Sequence, residues 1–551
     1  MKRKCAMTGE EFETSDFEIQ LREKLHVQGL PTIAPRYRIR HLGAFWHHWN
    51  LHRRKCDKTG KLLISVFSKK CPYPVWHKDE WVQHADPPGA DFDEKKEVFQ
   101  QMWEFFQRSP LPHKTGAGNQ NCEYTDDWWY GKDCYLCHSG VENEDLKYCY
   151  RTVGVRDCQF CTFAWDSELC ADLINCKNCF EVLYALNCKN CRNSAFLYDC
   201  RNCSNCLFCS NLRDKQYCVG NKQLTKEQFQ IEKEKWNFAS RTIYLQAKKH
   251  FAQMMRELAF HRALYIDKCE NCVGNFLENN KNCHSCFFVS EFEDCFNCVR
   301  GALDVKTSLD IMSTFESELG YCNSLCQDHT YQIRWSYWCN QSRFLDYCGY
   351  CFQCEYCFGC SGLVGKKYHI FNKPYSPEEY ESLRQKILDH MQKTGEYDSF
   401  FPGYFAPNPY QESWSAMYFP LSEEEVQKQG FRPQEHFEKR TSEYLSPKDI
   451  PDSSFDISSS EELKGKIFWH EAFEKPFQIQ PADIEFCQKL SFPLPHTYYI
   501  HRLQENFRWL PFDGTLRTTH CGKCQKEIQT GWPPEYDGRI LCEEDYLNVV
   551  K

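Results

Sequence analysis

The stretch "LYDCRNCSNCLFCSNLRDKQYC", residues 197–218, places five cysteines in nineteen positions, from Cys200 to Cys218, most of them three residues apart. The spacing extends outward. All fifteen cysteines from Cys134 to Cys218 fall on one three-residue register, and they also recur at twelve, as in Cys176/Cys188/Cys200 and Cys179/Cys191/Cys203. Where the register lacks cysteine it mostly carries small or apolar residues such as Leu146, Val155, Ala164, Val182, Ala185 and Ser194, with Lys215 the exception. That is the signature of an inward-facing position.

An α-helix does not explain it, because a step of three turns about 300° and the register would wander around the axis. A flat strand repeats at two. A twelve-residue solenoid coil with four short sides, the middle residue of each pointing inward, accounts for both periods. Coils stacked at about 4.8 Å leave a bore for small side chains only, and cysteine is a small, readily buried hydrophobe. Asn or Asp often precedes the cysteine (Asp157, Asn175, Asn178, Asn187, Asn190, Asp199, Asn202, Asn205). These residues tolerate left-handed corners.

Three chemistries compete for the thiols: plain burial, rung-to-rung disulfides, and iron–sulfur or other metal ligation. Cys200-x2-Cys203-x2-Cys206-x2-Cys209 has the look of a cluster run, but the same spacing continues for many coils, and a cluster needs only four thiols. "CYLCH" (134–138) matches the c-haem attachment pattern, yet it sits on the register and follows no export signal. The N-terminal "MKRKCAMTGEEFETSDF" has no apolar core of a leader, and no apolar run approaches a membrane span. The 37 cysteines are therefore read in a reducing, cytoplasmic setting, where free or metal-bound thiols are favoured over disulfides. The 551 residues suffice for several domains, an aromatic content of 16% argues for packed structure, and a net charge of −9 advertises no global nucleic-acid or membrane partner.

Two internal duplications organise the chain. At an offset of 151, Cys188, Cys200, Cys203, Cys206 and Cys209 fall on Cys339, Cys351, Cys354, Cys357 and Cys360, and "LRDKQYCVGNKQLTKEQF" (212–229) matches "LVGKKYHIFNKPYSPEEY" (363–380). Both blocks thus end in one segment followed by a capped helix start, Thr225-x-x-Gln228 or Ser376-Pro377-x-Glu379. The first of these helices is expected to run from about 225 to 262 and to plug the end of the rod. At an offset of 465, Phe12, Ile19, Lys24, Leu25, Cys56, Lys58 and Lys61 fall on Phe477, Ile484, Lys489, Leu490, Cys521, Lys523 and Lys526.

The expected fold is mixed and β-rich: two Cys-lined parallel β-solenoid blocks of about 12-residue coils, capping helices, and zinc-ribbon-like modules at both ends. The boundaries read as a degenerate ribbon module with a basic helix over 1–90, a connecting helical segment over 91–132, and the first solenoid over 133–224. A capping helix over 225–265 and the second solenoid over 266–375 follow. A helix, strap and linker over 376–470 and the C-terminal ribbon module over 471–551 complete the chain.

"KCDKTGKLLISVFS" (55–68), "NCEYT" (121–125), "NLRDKQYC..NKQLTKEQF" (211–229), "YFPLSEEE" (418–425) and "CGKCQKEIQT" (521–530) resemble a Cys-rich, zinc-ribbon-flanked protein family of candidate-phyla-radiation (Patescibacteria) bacteria, over nearly the whole chain. The resemblance implies zinc-ribbon modules around a Cys-rich middle and implies no activity. Cys521-x2-Cys524, with Cys542 seventeen residues on, is itself three quarters of a zinc ribbon. The family pattern has a fourth cysteine where this chain has Asp545. Aspartate ligates zinc through oxygen, so a Cys3Asp zinc site is expected, with His520 as a spare ligand. The matching N-terminal places hold Cys56, Thr59, His77 and Glu80, a degenerate site in which Cys56 and His77 are the remaining donors. In the family's other knuckle Cys5 survives beside Thr8, Ala34 and Tyr37.

"RYRIRHLGAFWHHWNLHRRKCDK" (36–58) is the one strongly basic stretch. Arg36, Arg38, Arg40, Arg53, Arg54, Lys55 and Lys58 stand against a single acid, Asp57, with His41, His47, His48 and His52 and aromatic side chains interleaved. Read as one helix, it offers the cationic and stacking groups that RNA contact requires; the plainer reading is a solvated or internally paired face. For catalysis there is no GxxxxGK[ST], GxSxG, HExxH or deaminase-type signature. The expectation is a non-enzymatic cytoplasmic scaffold that holds a protein or ribonucleoprotein assembly, with RNA or the ribosome as a partner and no membrane contact. A metal or redox protein that uses the thiols for iron–sulfur or soft metal ions is the alternative.

Overall fold

A computed structural model describes residues 1–46, 50–314, 317–321, 324–327, 330–434 and 440–550. The fold is mixed and strand-rich, dominated by two large parallel sheets. The chain forms two compact units. One comprises Met1–Thr115, Leu264–Glu435 and Phe512–Arg517, and the other Gly116–Ala263, His436–Pro511 and Thr518–Lys551. Each unit therefore pairs one Cys-rich block with the terminal module from the far end of the chain.

In the unit built around the first block, residues twelve apart pair in parallel. One column reads Ala171, Leu183, Ala195, Leu207, Val219. The second block keeps the same step over Arg343, Glu355 and Lys367, but it slips elsewhere: Ile266 pairs with Leu277, eleven on, and Phe292 with Val305, thirteen on. Gly274 stands at one slip, where a Cβ would lie 1.9 Å from the Cys286 carbonyl oxygen.

Every third residue from Asn121 to Gly220 is left-handed, with φ between +47° and +63°. The corners are not reserved for Asn and Asp as the sequence pattern suggests; Tyr184, Phe196 and Phe208 occupy them too. A left-handed L-residue costs about 1–2 kcal/mol. Two interactions offset that cost. Side chains at these left-handed positions stack on those twelve residues away, as in Tyr184–Phe196–Phe208 at 5.1 Å steps and Phe344–Tyr356–Tyr368 at 4.5 and 4.9 Å, worth about 0.5–1.5 kcal/mol per pair. The corner amide also donates to a carbonyl thirteen residues back, as Asn178 does to Trp165 and Asn187 to Ile174.

The amide after each inward residue donates in the other direction, Lys177 to the Cys188 carbonyl and Lys189 to that of Cys200. The inward residue's own amide remains, and where a Cys, Ser or Asn stands twelve residues earlier that side chain accepts it. Cys188 N donates to Cys176 Sγ (3.4 Å), Cys206 N to Ser194 Oγ (3.0 Å), and Val155 N to Asn143 Oδ1 (3.1 Å). An inward Cys, Ser or Asn therefore serves as an acceptor, whereas an inward Leu, Val or Ala only fills space. The thiol also donates: all fifteen cysteines from Cys134 to Cys218 hold their sulfur 3.0–3.7 Å from the carbonyl oxygen two residues earlier. Ser167 and Ser194 bond the same way through their hydroxyls. Cysteine recurs because one group does both tasks while filling apolar space.

Both blocks end alike. Asn221 exchanges two hydrogen bonds with the Ser210 backbone, and Asn372 does the same with Ser361. Capping boxes at Thr225 and Ser376 then open the helices Lys226–Glu234 and Pro377–Thr394. The single long helix expected after the first block is instead two, Lys226–Glu234 and Arg241–Glu257. Trp236 and Phe238 turn onto Phe208 and Phe196, and the Ser240 side chain caps the second helix by accepting from Ile243 N. The shorter helix packs against the last strand of the block, with Phe229 on Tyr217, while the longer runs beside the strands Arg192–Tyr198 and Ser204–Ser210.

Each terminal module docks on its block through a buried ion pair. Arg38 sits between Glu18 (2.7 Å) and the corner residue Asp310 (2.6 Å). In the other unit Arg502 meets the corner residue Asp172 (2.9 Å), which also accepts from Tyr244 Oη (2.5 Å). Asp483, the counterpart of Glu18, accepts from Tyr148 Oη (2.7 Å). Among the described residues no helix is long and apolar enough to cross a membrane.

Candidate metal centre

The C-terminal ribbon rests on the strands Arg517–His520 and Glu527–Thr530. Cys521 follows the first strand, and its amide donates to the Lys526 carbonyl (2.8 Å) to close the knuckle that carries Cys524. Cys542 caps the helix Glu543–Val549, whose third residue is Asp545. Gly522 lets the two halves meet, since a Cβ there would lie 2.1 Å from the Gly538 carbonyl oxygen.

These elements bring one donor atom each from Cys521, Cys524, Cys542 and Asp545 within 4.8 Å of one another. Cys524 and Cys542 sulfurs are 3.8 Å apart, and an Asp545 carboxylate oxygen lies 3.2 Å from Cys521 Sγ and 3.4 Å from Cys542 Sγ. Metal–sulfur bonds of about 2.3 Å at a tetrahedral centre set sulfur–sulfur edges of about 3.8 Å. The group has the size of a bound ion and could hold one; thiolate with one carboxylate is a donor set suited to zinc. Burial pushes the Cys521 thiol up, but the amides of Cys524, Cys542 and Lys523 outweigh it and hold its pKa below the usual value. Hydrogen bonds from Cys524 and Cys521 hold the Asp545 carboxyl down. Lys523 Nζ stands 3.8 Å from Asp545 and balances part of the charge. His520 is exposed and outside the donor group.

The N-terminal counterpart keeps the backbone and loses the donors. Cys56 N donates to Lys61 O (2.8 Å) and His77 N to Cys56 Sγ (3.3 Å), matching Cys521 N to Lys526 O and Cys542 N to Cys521 Sγ (3.3 Å). However, the His77 ring is engaged elsewhere: its Nδ1 accepts from Asp79 N, and the ring stacks on His113 at 4.7 Å. Lys58 Nζ bonds Glu80 at 3.1 Å, an internal pair in place of a metal bridge. Among the described residues Cys56 and His77 belong to no group of three or more potential metal donors. At the first knuckle Cys5 likewise accepts the Ala34 amide (3.5 Å). In both knuckles the remaining cysteine thus holds a backbone amide.

The basic stretch is not one helix. Pro35–Gly43 is helical and His52–Lys55 is a strand; His47, His48 and Trp49 lie outside the described residues. Arg38, Arg40 and Arg54 are buried. Arg38 is paired as above, Arg40 donates to Gln429 (2.6 Å), and Arg54 to Asp57 (2.7 Å) and the Ser68 carbonyl (2.6 Å). Arg36 is half-buried against Tyr37. Arg53 and Lys55 are exposed on one face of the strand, while Lys58 belongs to its pair with Glu80.

No protein-family model matches the sequence, and no curated protein is significantly similar to it.

Proposed function

We propose that this chain is a non-enzymatic cytoplasmic scaffold, in which two solenoids of about twelve-residue coils carry ribbon modules, one of them fixed by a structural zinc ion. The solenoid reading is supported by the twelve-residue parallel register together with a left-handed corner at every third residue. The scaffold reading is carried by the sulfurs of the first block, each bonded to a backbone carbonyl. A thiol that donates is protonated, whereas a metal ligand or nucleophile must be a thiolate. Burial pushes the Cys149 and Cys158 thiols well up, in the same direction. Thiol titration under native reducing conditions tests this: few cysteines react before denaturation, and metal analysis finds zinc. A brown preparation with stoichiometric iron and sulfide would replace it with the cluster reading.

The partner in this reading is a protein or ribonucleoprotein assembly. RNA contact is a second reading, now resting on Arg53 and Lys55, whose exposure on one strand face favours phosphate contact over internal pairing.

A further inference from the structure

Among the described residues four ribbon knuckles share one design: a residue at or just past the end of a strand, one in the following turn, one capping a helix, and the third residue of that helix. Cys521, Cys524, Cys542 and Asp545 fill these places in the C-terminal ribbon. The remaining knuckle, between Phe468 and Phe507, has His470 ending the strand Phe468–His470, Phe473 in the turn, Tyr498 capping the helix Tyr499–Phe507, and His501 as its third residue. Two of its four ligand places thus hold imidazoles, the same pair of places that Cys521 and Asp545 take.

The two rings face each other, with centres 5.1 Å apart and planes inclined at 54°. Metal–nitrogen bonds of about 2 Å at a tetrahedral angle put two bound imidazole centres about 5 Å apart. Both Nδ1 atoms are shielded from solvent and, among the described residues, have no hydrogen-bond partner. A buried imidazole nitrogen left this way indicates a missing partner. Phe473 packs on both rings, at 5.4 and 5.6 Å, and fixes their orientation.

We propose that His470 and His501 form a second metal site, which binds a divalent first-row transition ion through both Nδ1 atoms and leaves two positions to water. Imidazole suits zinc, copper and nickel, and two protein donors make the site weaker and more exchangeable than the ribbon. The sequence signal is the position of the two histidines in a knuckle frame, since the 31-residue separation alone resembles no motif.

The test is a Ni2+ titration by calorimetry on the full, zinc-loaded chain. The expected result is one equivalent that weakens at least tenfold in both His470→Asn and His501→Gln and persists in Cys521→Ser/Cys524→Ser. On the wild type, Ni2+ should protect His470 and His501 from diethylpyrocarbonate, mapped by peptide mass spectrometry, so a misfolded variant does not decide the matter. Nickel binding equal in both histidine variants is adventitious and overturns the site, as does unprotected modification of both rings at saturation.

Discussion

The backbone amide of Cys206 donates to the hydroxyl of Ser194, twelve residues earlier, at 3.0 Å, and that hydroxyl in turn donates to the Arg192 carbonyl. The inward side chain is the partner of an amide that no neighbouring strand takes. Ser194→Ala should leave the Cys206 amide unsatisfied in a dry interior and cost about 1–3 kcal/mol. Ser194→Cys, which reproduces the arrangement at Cys176 and Cys188, should cost much less. Urea melts of the two variants check the order; equal destabilisation would show that size alone governs the register.

Arg502 and Asp172 make the corresponding point for module docking. Asp172 is buried and Arg502 largely covered, and Asp172 also accepts from Tyr244. Arg502→Leu strands a buried carboxylate and should destabilise by about 3–5 kcal/mol. Adding Asp172→Asn should recover part of the loss, because the amide carries no charge. A double-mutant cycle by thermal melts measures the coupling.

Much of this was legible in the residues. The three- and twelve-residue periods of the cysteines gave the parallel register, and the offset of 151 gave the matched ends at Asn221 and Asn372. The Cys521, Cys524, Cys542 and Asp545 group was named from spacing plus one family position. Three things were hidden. The amide-accepting role of the thiols depends on corner geometry, which Tyr184 and Phe196 adopt without any Asn or Asp signal. The fate of Arg38 depends on Asp310, far away in sequence. The break between Lys226–Glu234 and Arg241–Glu257 falls where Trp236 and Phe238 find aromatic partners in the Cys-rich block, a tertiary contact that overrides a helical pattern.

Acid should act through buried histidines. Burial pushes His41 and His261 down to about 4 and His113 to about 3, from an ordinary value of about 6.5. Below about pH 6.5 the unfolded chain takes up these protons first, so stability falls as pH falls and the loss is complete near the folded pKa values. Each histidine contributes on the order of 3 kcal/mol across that window. Urea melts at pH 7, 6 and 5 should show stability falling at each step, steeper for the unit with His41 and His113 than for the unit with His261. A flat profile would mean that these rings charge without cost.

The ribbon should bind about one zinc, and Asp545 should set its affinity. Asp545→Cys completes a four-thiolate site and should tighten binding; Asp545→Ala should weaken it, with water in the fourth place. Cys521→Ser/Cys524→Ser should abolish it. Competition with a chelator of known affinity ranks the variants. A wild type free of zinc after purification and zinc dialysis would make the knuckle a packing device like those at Cys5 and Cys56.

The strand His52–Lys55 separates an RNA-linked scaffold from a purely protein one. Arg53 and Lys55 point outward while Arg54 points into the core, so changes to neighbouring cations should have opposite consequences. If RNA phosphates lie along this face, Arg53→Glu/Lys55→Glu should weaken RNA binding and flatten the log–log salt dependence by nearly one unit per contact. Stability should be almost unchanged, because exposed charges contribute little to it. Arg54→Ala should do the reverse: it removes the bonds to Asp57 and the Ser68 carbonyl, lowers the melting temperature, and leaves the salt slope alone. RNA co-sedimentation at two salt concentrations, with a melt of each variant, reads both effects. Binding that ignores salt and the charge reversal alike would sink the RNA reading and leave this strand face to a protein partner.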